Sequence, residues 1–263
     1  MNLNLPKLLP SNICIFCGNN GPFSSKEHIV PHSLGNDLLV LQPGWVCDQC
    51  NNICSSFESR ILNSSILGLE RCRLGVVTKK RKPARSDVHG VSWFAEPELQ
   101  DNIVSASADW EKIPILHDAN NSSGKIAMPL HDETCYDIAK LLLKMGLEIL
   151  APTLGIENMQ LAKDHIIGKN NTPWPYFILK SNEIEKKLVS LLNSTPEEHE
   201  YIRSSGFDLF FHEVEDKIVF FFVFGQFRAG VSLSSRDTIW RQILLDWEIP
   251  HVGCPIEFEE LNA

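Results

Sequence analysis

Residues 14–18 read CIFCG and residues 46–52 read VCDQCNN. Cys14, Cys17, Cys47 and Cys50 therefore form two C-x2-C pairs. A two-residue spacer lets both thiolates of a pair reach one ion at about 2.3 Å, and two pairs complete a closed tetrahedral zinc site. Such a site leaves no coordination position for water, so the zinc is expected to be structural. Its role is to fold a segment too small for a core of its own. Cys54 follows Cys50 by one helical turn and could compete as a ligand. It is expected instead to pack as a small apolar residue.

The rest of the cysteine inventory agrees with a metal rather than a disulfide frame. Five of the 8 cysteines in this 263-residue chain fall between positions 14 and 54. A secreted disulfide scaffold is usually shorter and comes with an export signal. The opening MNLNLPKLLPSN has a lone Lys7 and no apolar export core. No stretch approaches the roughly 18 apolar residues of a membrane span. A cytoplasmic protein with no membrane partner is the expectation.

The formal net charge is −9, which argues against nucleic acid as a partner until its distribution is considered. Residues 1–85 carry 10 Lys/Arg against 5 Asp/Glu, whereas the remainder carries 14 against 28. Between residues 60 and 85 there are eight basic residues and one acid, Glu70. A local basic surface suffices for phosphate contact. The competing reading of KKRKPAR, 79–85, is a solvated linker.

These shifts divide the chain into residues 1–78, a basic linker over 79–90, and an acidic α+β region over 91–263. Short strands are expected in VSWFA, NIVSASADW and KIPIL, with a loop over 118–125. A helix is expected from about Asp132, with Ile138, Leu141, Leu142, Met145 and Ile149 at helical spacing. His131, Asp132 and Glu133 read as its N-terminus, with acids complementing the dipole. Further helices are expected over 157–168 and 182–193, and PWPYF, 173–177, reads as extended. Residues 206–214, 217–224 and 227–234 read as strands of an antiparallel sheet, with Glu215 and Asp216 as a turn. The longest apolar run, Ile218 to Phe224, is strand-sized.

Between the two cysteine pairs lies SKEHIVPHSLG, 25–35. The combination CIFCG…EHIVPHSLG…VCDQCNN resembles the HNH endonuclease superfamily, in particular its four-cysteine branch with an acid before the first histidine. CRISPR effector nucleases carry a similar DHIVP segment. The resemblance covers about residues 12–60 and implies a zinc-braced ββα-metal domain. It implies that Glu27 and Asn51 bind a catalytic Mg²⁺ or Mn²⁺ and that His28 is the general base. It further implies an asparagine five residues before the second cysteine pair, holding the loop that bears the histidine. That position is Gln42, with Asn36 as the alternative bearer of the role. Glu27 also stands where Asp is commoner.

The residue chemistry fits those roles. A carboxylate and an amide oxygen suit a hard divalent cation better than zinc. A histidine pKa near 6.5 suits proton abstraction at neutral pH. Adjacent strand residues point to opposite faces, so Glu27 and His28 can serve one site only where the hairpin twists or bulges. Asp48 is expected to cap the helix presenting Asn51, and Ile53, Phe57 and Ile61 to form its buried stripe. Asn52 is the alternative to Asn51 if the helical register differs. His32 reads as a supporting histidine, with contact to the scissile phosphate as the alternative. Glu58 reads as structural, with a place near the metal among its alternatives.

Arg71, Arg73, Lys79, Lys80, Arg81 and Lys82 are expected to position a nucleic-acid backbone, DNA first and RNA as the alternative. The acidic remainder would repel DNA. A sensor or assembly role is expected for it, through self-association, a partner protein or a small ligand, as in a defence or restriction effector. The alternative for the whole chain is a non-catalytic zinc-knuckle protein.

Overall fold

The structure is a computed structural model describing residues 9–78, 80–88, 90–96, 104–109, 111, 115–118, 123–126, 134–153, 155–179, 199–203 and 206–254. It is mixed α+β, with antiparallel sheets and five helices among the described residues. The expected helix over 182–193 and the residues His131, Asp132 and Glu133 lie outside them. None of the described helices is long and apolar enough to cross a membrane.

The N-terminal part runs strand, strand, helix. β1, Glu27–His28, pairs antiparallel with β2, Val40–Leu41, in the register Glu27 opposite Leu41 and His28 opposite Val40. A single 3-10 turn, His32–Leu34, lies between them and closes on Gly35, whose φ of 84° suits glycine. The helix α1, Asp48–Ser64, follows. Its N-cap is Cys47 in an extended conformation, so Asp48 is the first helical residue rather than the cap. The Asp48 carboxylate turns outward and accepts the backbone N–H groups of Ser24 and Ser25, both at 2.9 Å. The helix thus grips the loop that leads into β1. The buried stripe of α1 is Cys50, Cys54, Phe57 and Ile61, with Ile53 only partly buried.

Ser65 separates α1 from α2, Ile66–Arg73. Its hydroxyl donates to Ile61 O at 2.7 Å and accepts Leu67 N–H at 3.1 Å, ending one helix and capping the next. Within the expected linker of 79–90, residues 85–88 are strand. Ahead of them, Thr78 N–H donates to Lys82 O and Arg81 N–H to Thr78 O, both at 2.8 Å. β3, Arg85–Val88, begins a three-stranded antiparallel sheet with β4, Val91–Ala95, and β5, Val104–Ala108. β3 packs on α1 and α2. The buried Ser86 hydroxyl donates to Asn63 O at 3.1 Å. β6, Ile115–Asp118, pairs with β7, Ser123–Ile126, so both ends of the expected 118–125 loop are strand.

The remaining elements are α3, Cys135–Leu150; α4, Gln160–Ile166; β8, Tyr176–Leu179; β9, His199–Arg203; β10, Asp208–Val214; β11, Lys217–Phe224; β12, Phe227–Ser232; α5, Ile239–Asp246; and β13, His251–Cys254. The six strands form one antiparallel sheet in the order β13-β8-β12-β11-β10-β9. Glu215 and Asp216, both with positive φ, make the two-residue turn between β10 and β11. β11 is apolar from Ile218 onward because both faces are covered. Val219, Phe221 and Val223 pack in one cluster with Trp240, Ile243 and Leu244 of α5. Phe220, Phe222 and Phe224 pack in the other with α3.

That second cluster is continuous from the four-cysteine region through α1 and α3 to the sheet. α3 is consequently buried on nearly every side, from Ile138 through Leu150 apart from Lys140. Gly146 permits the close approach of α3 to the sheet, since a Cβ there would lie 2.7 Å from the Leu233 side chain and 3.2 Å from the Phe220 ring.

Candidate zinc and catalytic site

The four cysteine sulfurs Cys14, Cys17, Cys47 and Cys50 lie within 4.8 Å of one another. Cys17 Sγ and Cys47 Sγ are 3.7 Å apart. A tetrahedron of thiolates about 2.3 Å from zinc has edges of about 3.8 Å, so the cluster has the size for that ion. Packed this closely, the thiols do not ionise independently. A hydrogen bond from Cys50 draws the Cys14 thiol down to about 4, and the same contact pushes Cys50 upward. A bound dication would stabilise all four as thiolates. Cys54 is fully buried outside this cluster, and burial raises its pKa, as for a packed apolar side chain.

The four-cysteine cluster and the EHIVP hairpin meet at the start of α1. Cys47 and Cys50 occupy the first turn, and Asn51 N–H bonds to Cys47 O at 2.9 Å. Any ion held by the cysteines therefore fixes the turn that presents Asn51. The hairpin is braced from inside by Asn36. Its amide donates to Val30 O at 2.7 Å and Leu39 O at 2.9 Å, while its oxygen accepts Leu38 N–H and Leu39 N–H. Asn36 is 1% exposed, whereas Gln42 is exposed and makes no side-chain hydrogen bond among the described residues. The loop-bracing role expected of Gln42 thus belongs to Asn36. A Gln beyond the end of β2 points to solvent, while the asparagine sits where the chain turns back on itself.

Glu27, His28 and Asn51 line one cavity of about 390 Å³, together with Lys26, His32 and Glu58. Glu27 and His28 both line the cavity although they are adjacent in β1. The His28 and His32 rings stand edge to face, 5.3 Å between centroids. His32 Nε2 is 3.0 Å from Asp37. Asn51 Oδ1 accepts from Ser55 at 3.4 Å, and Asn52 is exposed.

One residue that contacts this site lies far outside the motif in sequence. Lys144 of α3 is fully buried, with Nζ 2.6 Å from Glu27 Oε1, 2.9 Å from Glu58 Oε1 and 3.3 Å from Glu148 Oε2. It also donates to His28 O at 2.7 Å. Burial opposes the ammonium, but Glu148, Glu58 and Glu27 outweigh it and hold its pKa well above the usual lysine range. Burial raises Glu148 strongly and Glu27 in the same direction, with Lys144 opposing in both. The second oxygen of Glu27, Oε2, is buried and has no hydrogen-bond partner among the described residues. The signal for Lys144 was present in LLLKMGLEIL, 141–150, where Lys144 and Glu148 are the only charges and lie one turn apart.

The expected backbone-binding cations separate into different settings. Arg71 is buried, lines the same cavity and donates to Arg85 O at 2.7 Å. Arg73 pairs with Glu70. Lys80, Arg81 and Lys82 are exposed on the turn before β3. Lys79 lies outside the described residues. Comparison of the chain with protein-family models, curated proteins and solved structures found no match.

Proposed function

We propose that the chain is a metal-dependent endonuclease of the HNH type that hydrolyses phosphodiester bonds in DNA. The observation that carries this reading is the meeting of Glu27, His28 and Asn51 at one cavity, with Glu27 Oε2 buried and unpartnered. Those donors suit Mg²⁺ or Mn²⁺, which when bound would neutralise charge on the phosphate and the leaving oxygen. Glu27 Oε2 and Asn51 Oδ1 would hold the ion. His28 takes a proton from water, whose oxygen attacks phosphorus as the bond to the 3′ oxygen breaks, and that oxygen takes up a proton from solvent. The products are a 5′-phosphate and a 3′-hydroxyl. Arg71 would meet a phosphate within the cavity, and Lys80, Arg81 and Lys82 the flanking backbone.

A second reading has an observation of its own. The Lys144 ammonium already lies against Glu27, so a zinc-stapled binding protein with no catalytic cation is the alternative. The two separate on a plasmid incubated with zinc-loaded protein in Mg²⁺ or Mn²⁺, with and without EDTA, beside His28→Ala. We expect metal-dependent cleavage that falls by roughly 10²–10⁴-fold in a folded His28→Ala protein. Equal cleavage by both proteins overturns the role of His28, and no cleavage by either favours the binding protein.

A further inference from the structure

Two carboxylates that line the cavity are held from behind by a residue well outside the zinc-braced segment. Lys144 of α3 is fully buried, outside the lining, and contacts Glu27 and Glu58, which belong to it. An ammonium has three protons to donate, and its three nearest oxygens are Glu27 Oε1, His28 O and Glu58 Oε1. Those oxygens belong to the carboxylate expected to bind metal, the backbone of the expected base, and the helix that carries Asn51. Glu148 completes the surroundings as a further carboxylate. The contact with Glu58 Oε1, at 2.9 Å, is an ion pair, since that oxygen makes no hydrogen bond among the described residues. A second link holds the same helices together, since Arg60 of α1 grips both oxygens of Asp137 of α3 at 2.7 and 3.0 Å.

The geometry points to Lys144 as a positioning residue for the cation: it holds Glu27 by Oε1 so that Oε2 is presented to a divalent ion beside Asn51. This inference rests on the endonuclease reading of the site. It also accounts for glutamate at position 27. One carboxylate must reach the lysine with one oxygen and the cavity with the other. Aspartate would withdraw that carboxylate by one methylene. The alternative arrangement, in which the ammonium excludes a metal, makes the opposite forecast for the same variants.

The test is Mn²⁺ binding, followed by the loss of free-ion signal in electron paramagnetic resonance, on the full zinc-loaded chain. Zinc content and circular dichroism report whether each variant is folded. Wild type is expected to bind one Mn²⁺, and Asn51→Ala to lose it. Lys144→Met is expected to weaken binding at least tenfold. Glu27→Asp, which preserves the charge and leaves Lys144 in place, is expected to weaken it by a similar factor. This second variant keeps the test decisive if Lys144→Met does not fold. Binding within twofold of wild type in either folded variant, or tighter binding in Lys144→Met, overturns the positioning role while leaving the metal site intact. Absence of Mn²⁺ binding by wild type overturns the site itself, and the positioning role with it.

Discussion

The Lys144 ammonium and the Glu27 carboxylate lie 2.6 Å apart, both buried, one on α3 and the other on the first strand. Burying such a pair is unfavourable unless each partner is further satisfied. Lys144 is, through Glu58, Glu148 and the His28 carbonyl. Among the described residues, Glu27 has one oxygen without a hydrogen-bond partner, as has Glu58 at Oε1, and Glu148 has none at either oxygen. The pair therefore ties the EHIVP hairpin to the protein core and leaves Glu27 Oε2 buried without a hydrogen bond.

The four-cysteine cluster is expected to hold one tightly bound zinc per chain by elemental analysis. Cys47→Ser should lose it and disorder the N-terminal part, because Cys47 is both a member of the cluster and the N-cap of α1. Metal binding in small zinc modules contributes roughly 10–16 kcal/mol. Here the adjoining core will retain part of the structure. A melting curve unchanged by strong chelators, with no zinc present, would contradict this.

Asn36→Ala should destabilise the protein by about 2–4 kcal/mol in urea unfolding, since it strips partners from backbone groups at four contacts in a buried loop. Gln42→Ala should change stability by less than about 0.5 kcal/mol, as for an exposed residue. Equal effects would show that the amide bracing is not confined to Asn36.

Gly146→Ala places a methyl against Leu233 and Phe220 where α3 meets the sheet. Overpacking costs about 1–3 kcal/mol, against a gain of up to about 1 kcal/mol in helix propensity. A net loss is expected in the unfolding midpoint. A stabilised variant would show that the interface yields more readily than its packing implies.

His165 is buried, and burial, with Lys140 adding to it, lowers its pKa from 6.5 to about 4. The fold therefore favours the neutral ring. Stability tied to it is full above about pH 6.5 and is lost as pH falls towards 4. The loss is at most about 3 kcal/mol, at roughly 1.4 kcal/mol per pH unit. Melting temperature measured from pH 7 to 4 should fall more steeply for wild type than for His165→Gln. Parallel slopes would remove His165 as a source of acid sensitivity.

What the sequence discloses depends on how local the cause is. The cysteine pairs are legible because a two-residue spacer is a geometric demand within one turn of chain. The strand over Ile218 to Phe224 is legible from its length, but not which partner covers each face. Asn36 outweighs Gln42 for a reason sequence spacing does not carry, namely which amide the hairpin turns inward. The run KKRKPAR reads as a solvated linker because its charges conceal a turn and the start of β3, which are held by contacts to α1 and α2. Lys144 is hidden for the same kind of reason. Its helix has an apolar stripe of ordinary width on paper, and only tertiary packing on all sides turns the remaining charged pair inward.

Anomalous scattering from crystals grown with Mn²⁺ tests the central claim most directly. We expect a zinc peak between the sulfurs of Cys14, Cys17, Cys47 and Cys50, and a manganese peak bounded by Glu27 Oε2 and Asn51 Oδ1, with Lys144 still against Glu27 Oε1. Manganese bound elsewhere, or a cavity holding none while Lys144 keeps its place, would contradict the account.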